Sequence, residues 1–127
     1  MNSLNSLNSL NSLNSLNLLN PTYMPWYKIA ESRKELFEPD KSLTEVEVEG
    51  KMVCIGLYRD QIRACAAKCP HASGKLAAGY IDALGNIVCP LHRYKFSLEN
   101  GRNVSGEGYF LKTYRIEERN DGIYIGF

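Results

Sequence analysis

Apolar and polar residues alternate along several short stretches of this chain. In Leu43–Val48 the alternation has a period of two, which is typical of a half-buried strand. Gly50 separates this stretch from an apolar run at residues 52–58. Arg59-Asp60 then predicts a hairpin tip before a further strand, Gln61–Ala66. The pattern therefore predicts three consecutive strands joined by tight turns.

The second half of the chain is also divided by regular turn signals. These signals are residues 82–86, 99–101 and 120–122, and the strand-like runs beside them are residues 80–81, 87–88, 111–117 and 123–127. Only residues 31–37 look helical, and only briefly. Many short strands with regularly spaced turns predict an all-β sandwich or small barrel.

The N-terminal segment has a different composition from the rest of the chain. Residues 2–17 repeat Asn-Ser-Leu with a period of three and carry no charge. This is the pattern of a low-complexity segment, and it lacks the basic residues of a signal or transit peptide. We expect a disordered tail at residues 1–23 and one folded domain at residues 24–127. A partner-binding or oligomerising arm is the alternative for the tail, and a native start at Met24 is a further hypothesis.

Length and charge limit the possible functions. A chain of 127 residues is enough for one domain, and a net charge of +1 argues against general nucleic-acid binding. No run approaches the roughly 20 apolar residues that span a bilayer. Four cysteines are too few for a disulfide scaffold. The sequence predicts a soluble, cytoplasmic protein.

Both histidines of the chain lie beside cysteines in two short, similar segments. Cys69 and His71 form C-x-H, and after seventeen intervening residues Cys89 and His92 form C-x-x-H. Two thiols and two imidazoles make a complete set of four ligands for zinc or for an iron–sulfur centre. Structural zinc sites usually pair like ligands, as in C-x-x-C. One sulfur and one nitrogen from each segment instead favour a two-iron cluster, with zinc as the alternative.

This arrangement resembles the Rieske family, in which two histidines replace two cysteines on one iron of a 2Fe-2S cluster. The resemblance extends over about residues 26–127 and includes Trp26–Ala30, which is similar to the first strand of the family. It implies stacked antiparallel sheets, with a small cluster-binding subdomain formed by two loops. It also implies that Cys69 and Cys89 bind the inner iron, while His71 and His92 bind the outer one.

The resemblance implies an electron carrier and not an enzyme. No histidine remains for a mononuclear iron site, and no G-x-G-x-x-G fingerprint of a flavin or nicotinamide site is present. We expect a ferredoxin that passes single electrons from a reductase to an oxygenase or another acceptor. The alternatives are a small subunit of a nitrite-reductase-like complex and a structural zinc module. The sequence leaves the identity of donor and acceptor, the final substrate and the oligomeric state open.

Two positions after the second ligand pair bear on the reduction potential. High-potential members of the family have a serine and a tyrosine that donate hydrogen bonds to the cluster sulfurs, and a disulfide that ties the loops together. Tyr94 stands at the serine position and Phe96 at the tyrosine position, and the loop-tying cysteines are missing. Fewer donors disfavour the reduced state. We therefore expect a potential at the low end of the Rieske range, about −150 mV.

The remaining cysteines and the local charges permit two further interpretations. Cys54 and Cys65 fall within apolar runs and are interpreted as buried, inert thiols, with a redox pair as the alternative. Residues 51–102 contain eight basic and three acidic residues. The basic residues nearest the ligand pairs would attract an acidic partner surface, and they are Lys68, Lys75, Arg93 and Lys95.

Overall fold

The computed structural model describes residues 24–127, so the interpretation of residues 1–23 as a disordered tail falls outside the described residues. The described chain is built almost entirely of strands, with one four-residue α-helix and one short 3-10 turn, Leu76–Ala78. Its elements are β1 (Trp26–Ala30), α1 (Arg33–Leu36), β2 (Leu43–Val48), β3 (Lys51–Tyr58), β4 (Gln61–Ala66), β5 (Tyr80–Ile81), β6 (Asn86–Val88), β7 (Lys95–Ser97), β8 (Thr113–Arg119) and β9 (Gly122–Gly126).

The strands form two antiparallel sheets. A six-stranded sheet has the order β1-β9-β8-β4-β3-β2, and a three-stranded sheet has the order β5-β6-β7. This architecture confirms the predicted all-β fold with antiparallel sheets. The predicted strands are all present, with bounds that differ by two residues or fewer.

The tight turns form where the sequence predicted them. At the β3–β4 hairpin, Tyr58 pairs with Gln61, and the intervening Arg59 and Asp60 have φ values of 49° and 67°. Positive φ at both central residues is the geometry of a type I′ turn, whose twist suits a two-residue hairpin. The β8–β9 hairpin also has a two-residue loop, because Arg119 pairs with Gly122.

Strand β3 is buried on both faces, which explains its nearly continuous apolar sequence. Val53 and Ile55 point into one hydrophobic core inside the six-stranded sheet. Cys54 points into a second core, which joins β3 and β4 to the small sheet through residues such as Phe96. Gly56 lies on this second face, where an added Cβ would be 3.2 Å from Ile81. The second core also contains Cys69 and Cys89, so it attaches both the small sheet and the two cysteines to the rest of the domain.

Candidate metal centre

The first ligand loop, residues 69–74, is closed by two backbone hydrogen bonds. The amide of Cys69 donates to the carbonyl oxygen of Gly74 at 2.8 Å, and the amide of Ser73 donates back to the carbonyl oxygen of Cys69 at 2.9 Å. Ser73 has a φ of 58°, which turns the chain sharply enough to bring these groups together. The loop is thus held by its own backbone, directly around the cysteine.

The second ligand loop, residues 89–94, repeats this pattern position by position. The amide of Cys89 donates to the carbonyl oxygen of Tyr94, and the amide of Arg93 donates to the carbonyl oxygen of Cys89, both at 2.9 Å. Arg93 has a φ of 62°, close to that of its counterpart Ser73. When the loops are aligned on their cysteines, the histidines differ by one position. His71 then corresponds to Leu91, and Gly74 corresponds to Tyr94.

The two cysteines lie inside the domain. Cys69 is 2% exposed and Cys89 is 1% exposed, and both belong to the core that joins the two sheets. Burial raises the pKa of the Cys69 thiol, while the backbone amides of His71 and Ala72 hydrogen-bond to its sulfur and oppose that rise. These amides would stabilise negative charge on the sulfur, as second-shell donors do at metal sites. The sequence alone could not identify them.

The two histidines lie together on the outer side of the cysteines. Their ring centroids are 4.9 Å apart with an interplanar angle of 65°. The Nδ1 atom of His71 is buried and has no hydrogen-bond partner among the described residues. A buried nitrogen without a partner costs free energy, so such atoms are rare unless a ligand satisfies them. This atom is therefore suited to bind a metal, and the site fits a centre with mixed sulfur and nitrogen ligands.

The four predicted ligands are divided into an inner pair and an outer pair. The thiols are buried, while His71 is half-buried and His92 is exposed. Within residues 24–127, no three His, Cys, Asp or Glu side chains are grouped around a position for a single ion. The layout has two sulfurs inside and two imidazoles outside, which is the division that a Rieske cluster requires.

A third segment, residues 103–109, borders the site, and no sequence pattern predicts this position for it. The Asn103 side chain accepts hydrogen bonds from the amides of Glu107 at 2.6 Å and Gly108 at 3.2 Å. Ser105 donates to the Glu107 carboxylate, and this bond, together with Asn103 and the nearby His71, lowers the pKa of Glu107. The segment ends at Tyr109, whose ring centroid lies 5.4 Å from that of His71.

Cys54 and Cys65 are not part of the site. They are paired directly across β3 and β4, and both are free and fully buried. The pKa of the Cys65 thiol is raised mainly by its hydrogen bond with Cys54 and also by its burial. A protonated, inaccessible thiol is unreactive. The structure therefore favours the interpretation of two inert core residues.

Comparisons with known proteins define the family. The family model for the Rieske [2Fe-2S] domain matches residues 25–114. A relative by sequence is the ferredoxin component of an alkene monooxygenase system from Xanthobacter autotrophicus, 28% identical over 68% of this chain and 71% of the relative. The chain therefore belongs to the Rieske [2Fe-2S] domain family, and its cofactor is one 2Fe-2S cluster.

Solved structures show the same fold. The ferredoxin of carbazole 1,9a-dioxygenase from Nocardioides aromaticivorans has a TM-score of 0.68 at 22% identity, covering 79% of this chain and 95% of that one. A protein described as a nitrite reductase (NADPH) small subunit also has a TM-score of 0.68, at 20% identity, covering 80% of this chain and 97% of that one.

No helix among residues 24–127 is long and apolar enough to cross a bilayer.

These findings confirm several predictions made from the sequence. The family, the all-β fold and the 2Fe-2S cofactor are as predicted. Relatives named as ferredoxin components also agree with a carrier of electrons that is not itself a catalytic subunit.

Proposed function

We propose that this protein is a one-electron carrier whose 2Fe-2S cluster is bound by Cys69, Cys89, His71 and His92. The observation that carries this proposal is the buried, unpartnered Nδ1 of His71, which lies beside His92 on the outer side of the two buried thiols. When bound, a cluster of this type accepts and returns a single electron. The chain holds the sulfurs away from water and directs backbone amides at Cys69, while His92 stays open to the surface.

Spectroscopy and metal analysis test this proposal. Protein purified without oxygen should contain about two irons and two acid-labile sulfides per chain. Dithionite should reduce it by one electron and produce the EPR spectrum of a reduced Rieske centre. Iron without acid-labile sulfide, or a colourless protein that contains zinc, would contradict the proposal.

The partners that fit best are a reductase as donor and an oxygenase as acceptor. The alkene monooxygenase relative is named as the ferredoxin component of an oxygenase system. A nitrite-reductase-like complex is the second candidate, because the fold is equally similar to such a small subunit. The sequence relationship supports the ferredoxin assignment over this candidate.

We place this carrier in the cytoplasm and assign electron transfer to residues 24–127.

Charges near the ligand loops support docking to an acidic partner. Lys75 is 3.6 Å from the Glu45 carboxylate, and Lys95 is 3.9 Å from the Asp82 carboxylate. Lys68 and Arg93 are exposed and make no ion pair within residues 24–127. These two residues, one in each half of the site, are therefore the stronger candidates for steering.

We expect the rate of electron transfer to the partner to fall as salt rises, because mobile ions screen attraction between exposed charges. Stopped-flow measurements over a series of NaCl concentrations check this. The double variant Lys68→Ala, Arg93→Ala should lose most of the salt dependence. Lys34→Ala, which removes an exposed charge on α1, should behave like the parent protein. A rate that does not depend on salt would contradict steering.

We expect a midpoint potential of about −150 mV. Phe96 is fully buried in the same core as Cys69 and Cys89, and it has no hydroxyl to donate. Phe96→Tyr adds a donor there and should raise the midpoint, because hydrogen bonds to sulfur stabilise the reduced state. Phe37→Tyr, in the other hydrophobic core, is the matched control and should leave the midpoint unchanged. The midpoint potentials of the parent protein and the two variants are measured by redox titration, with visible absorption as the monitor. A midpoint clearly above zero in the parent protein would contradict the expectation.

A further inference from the structure

The aligned ligand loops contact each other through equivalent positions. Gly74, the last residue of the first loop, lies against Leu91, the third residue of the second loop. Tyr94, the last residue of the second loop, lies against His71, the third residue of the first loop. A Cβ added to Gly74 would lie 3.1 Å from Leu91, and the Tyr94 ring is stacked on His71 with centroids 4.1 Å apart and planes at 25°. The two contacts are equivalent in position and differ in chemistry, because only one of them covers a histidine with an aromatic ring.

Tyr109 adds a second aromatic ring over the same histidine. Its centroid lies 5.4 Å from that of His71 and 5.9 Å from that of Tyr94. The three rings form a contiguous group, and the two separations that involve Tyr109 lie in the range of favourable aromatic contacts. His92 has no comparable cover, because Tyr94 is 6.2 Å away from it and the residue is exposed.

We propose that Tyr94 and Tyr109 are positioning residues that partly shield His71 and leave His92 as the more open imidazole towards partner proteins. This inference rests on the proposed function, because it concerns the same cluster ligands. The Tyr94 ring fixes the plane of the His71 ring by stacking, and Tyr109 closes the side that faces residues 103–109. His92 and its neighbour Leu91, which is 55% exposed, then form the contact surface.

The shield gives the two histidines different access to small reagents. Diethyl pyrocarbonate acylates an imidazole nitrogen that carries no proton, so the oxidised holoprotein is treated at alkaline pH, and peptide mass spectrometry locates the product. In this oxidised holoprotein, we expect His92 to be modified several-fold faster than His71. The variants Tyr94→Ala and Tyr109→Ala should each raise the rate at His71 and leave the rate at His92 nearly unchanged.

Two variants separate shielding from a general loss of structure. Tyr94→Phe keeps the ring and should keep His71 protected, while Tyr80→Ala, which removes a 54% exposed tyrosine outside the group, should change neither rate. Tyr109 lies outside both ligand loops. The Tyr109→Ala variant therefore still tests the shield if Tyr94→Ala fails to fold. Iron and sulfide content is measured on each sample. Equal modification of both histidines in a protein that retains its cluster would overturn the shield alone, whereas a parent protein without iron and sulfide would overturn the proposed function.

Discussion

Alanine at Cys69 or Cys89 should abolish cluster binding, whereas alanine at Cys54 or Cys65 should leave about two irons per chain. The four cysteines form a matched set, because all are free and almost fully buried, and all belong to the same core. Only Cys69 and Cys89 begin loops whose backbones close around them and bring the histidines alongside. Burial alone therefore does not decide which thiols bind iron. The four substitutions distinguish cysteines that bind iron from cysteines that are only buried in the core.

Loss of the cluster must be distinguished from loss of the fold. Cys54→Ala and Cys65→Ala remove one sulfur atom each from a packed core, which costs on the order of 1–2 kcal/mol. Cys69→Ala and Cys89→Ala remove an atom of the same size at similar burial, so any further loss of iron reflects the missing ligand. Iron and acid-labile sulfide assays, with circular dichroism for folding, provide the measurements. Full iron content in Cys69→Ala, or an iron-free Cys54→Ala with native circular dichroism, would show that the ligand assignment is wrong.

The sequence predicted most of the strands because the relevant signals are local. Leu43–Val48 alternates with a period of two, and the charged pair Arg59-Asp60 separates two strand-like runs at the point where the two-residue turn forms. The candidate ligands were also found from local spacing, because each loop contains both a thiol and an imidazole. These features depend on a few consecutive residues, so they can be read without knowing the fold.

Features that depend on distant parts of the chain could not be predicted in this way. Tyr109 contacts His71 only because residues 103–109 fold back across the site, held by Asn103. The pairing of Lys75 with Glu45 and of Lys95 with Asp82 also depends on tertiary structure, and it changes which charges are available for docking. None of these three contacts has a signature in the sequence, because residues such as asparagine and lysine occur at many surface positions.

The equivalence of the two loops also shows why Gly74 has no side chain. Its counterpart Tyr94 has room for a ring, but a Cβ on Gly74 would lie 2.8 Å from the Sγ atom of Cys89 and 3.1 Å from the Leu91 side chain. Leu91 is exposed and can move, whereas Cys89 is buried and its amide is bonded to Tyr94 within the loop. The more severe of the two close approaches therefore falls on the Sγ atom of Cys89, which is a proposed ligand.

We expect Gly74→Ala to lose most of its cluster even though alanine is the smallest possible addition. Real Cβ atoms do not approach another atom this closely, so either Cys89 or the whole first loop must shift, and metal sites tolerate such displacement poorly. Gly106→Ala is the matched control, because a Cβ there meets no atom within 4 Å, although its φ of 96° adds backbone strain. Iron content and the reduced EPR spectrum should therefore be lost in Gly74→Ala and retained in Gly106→Ala. A Gly74→Ala protein with full iron and an unchanged spectrum would mean that the two loops are not in contact through this glycine when the cluster is bound.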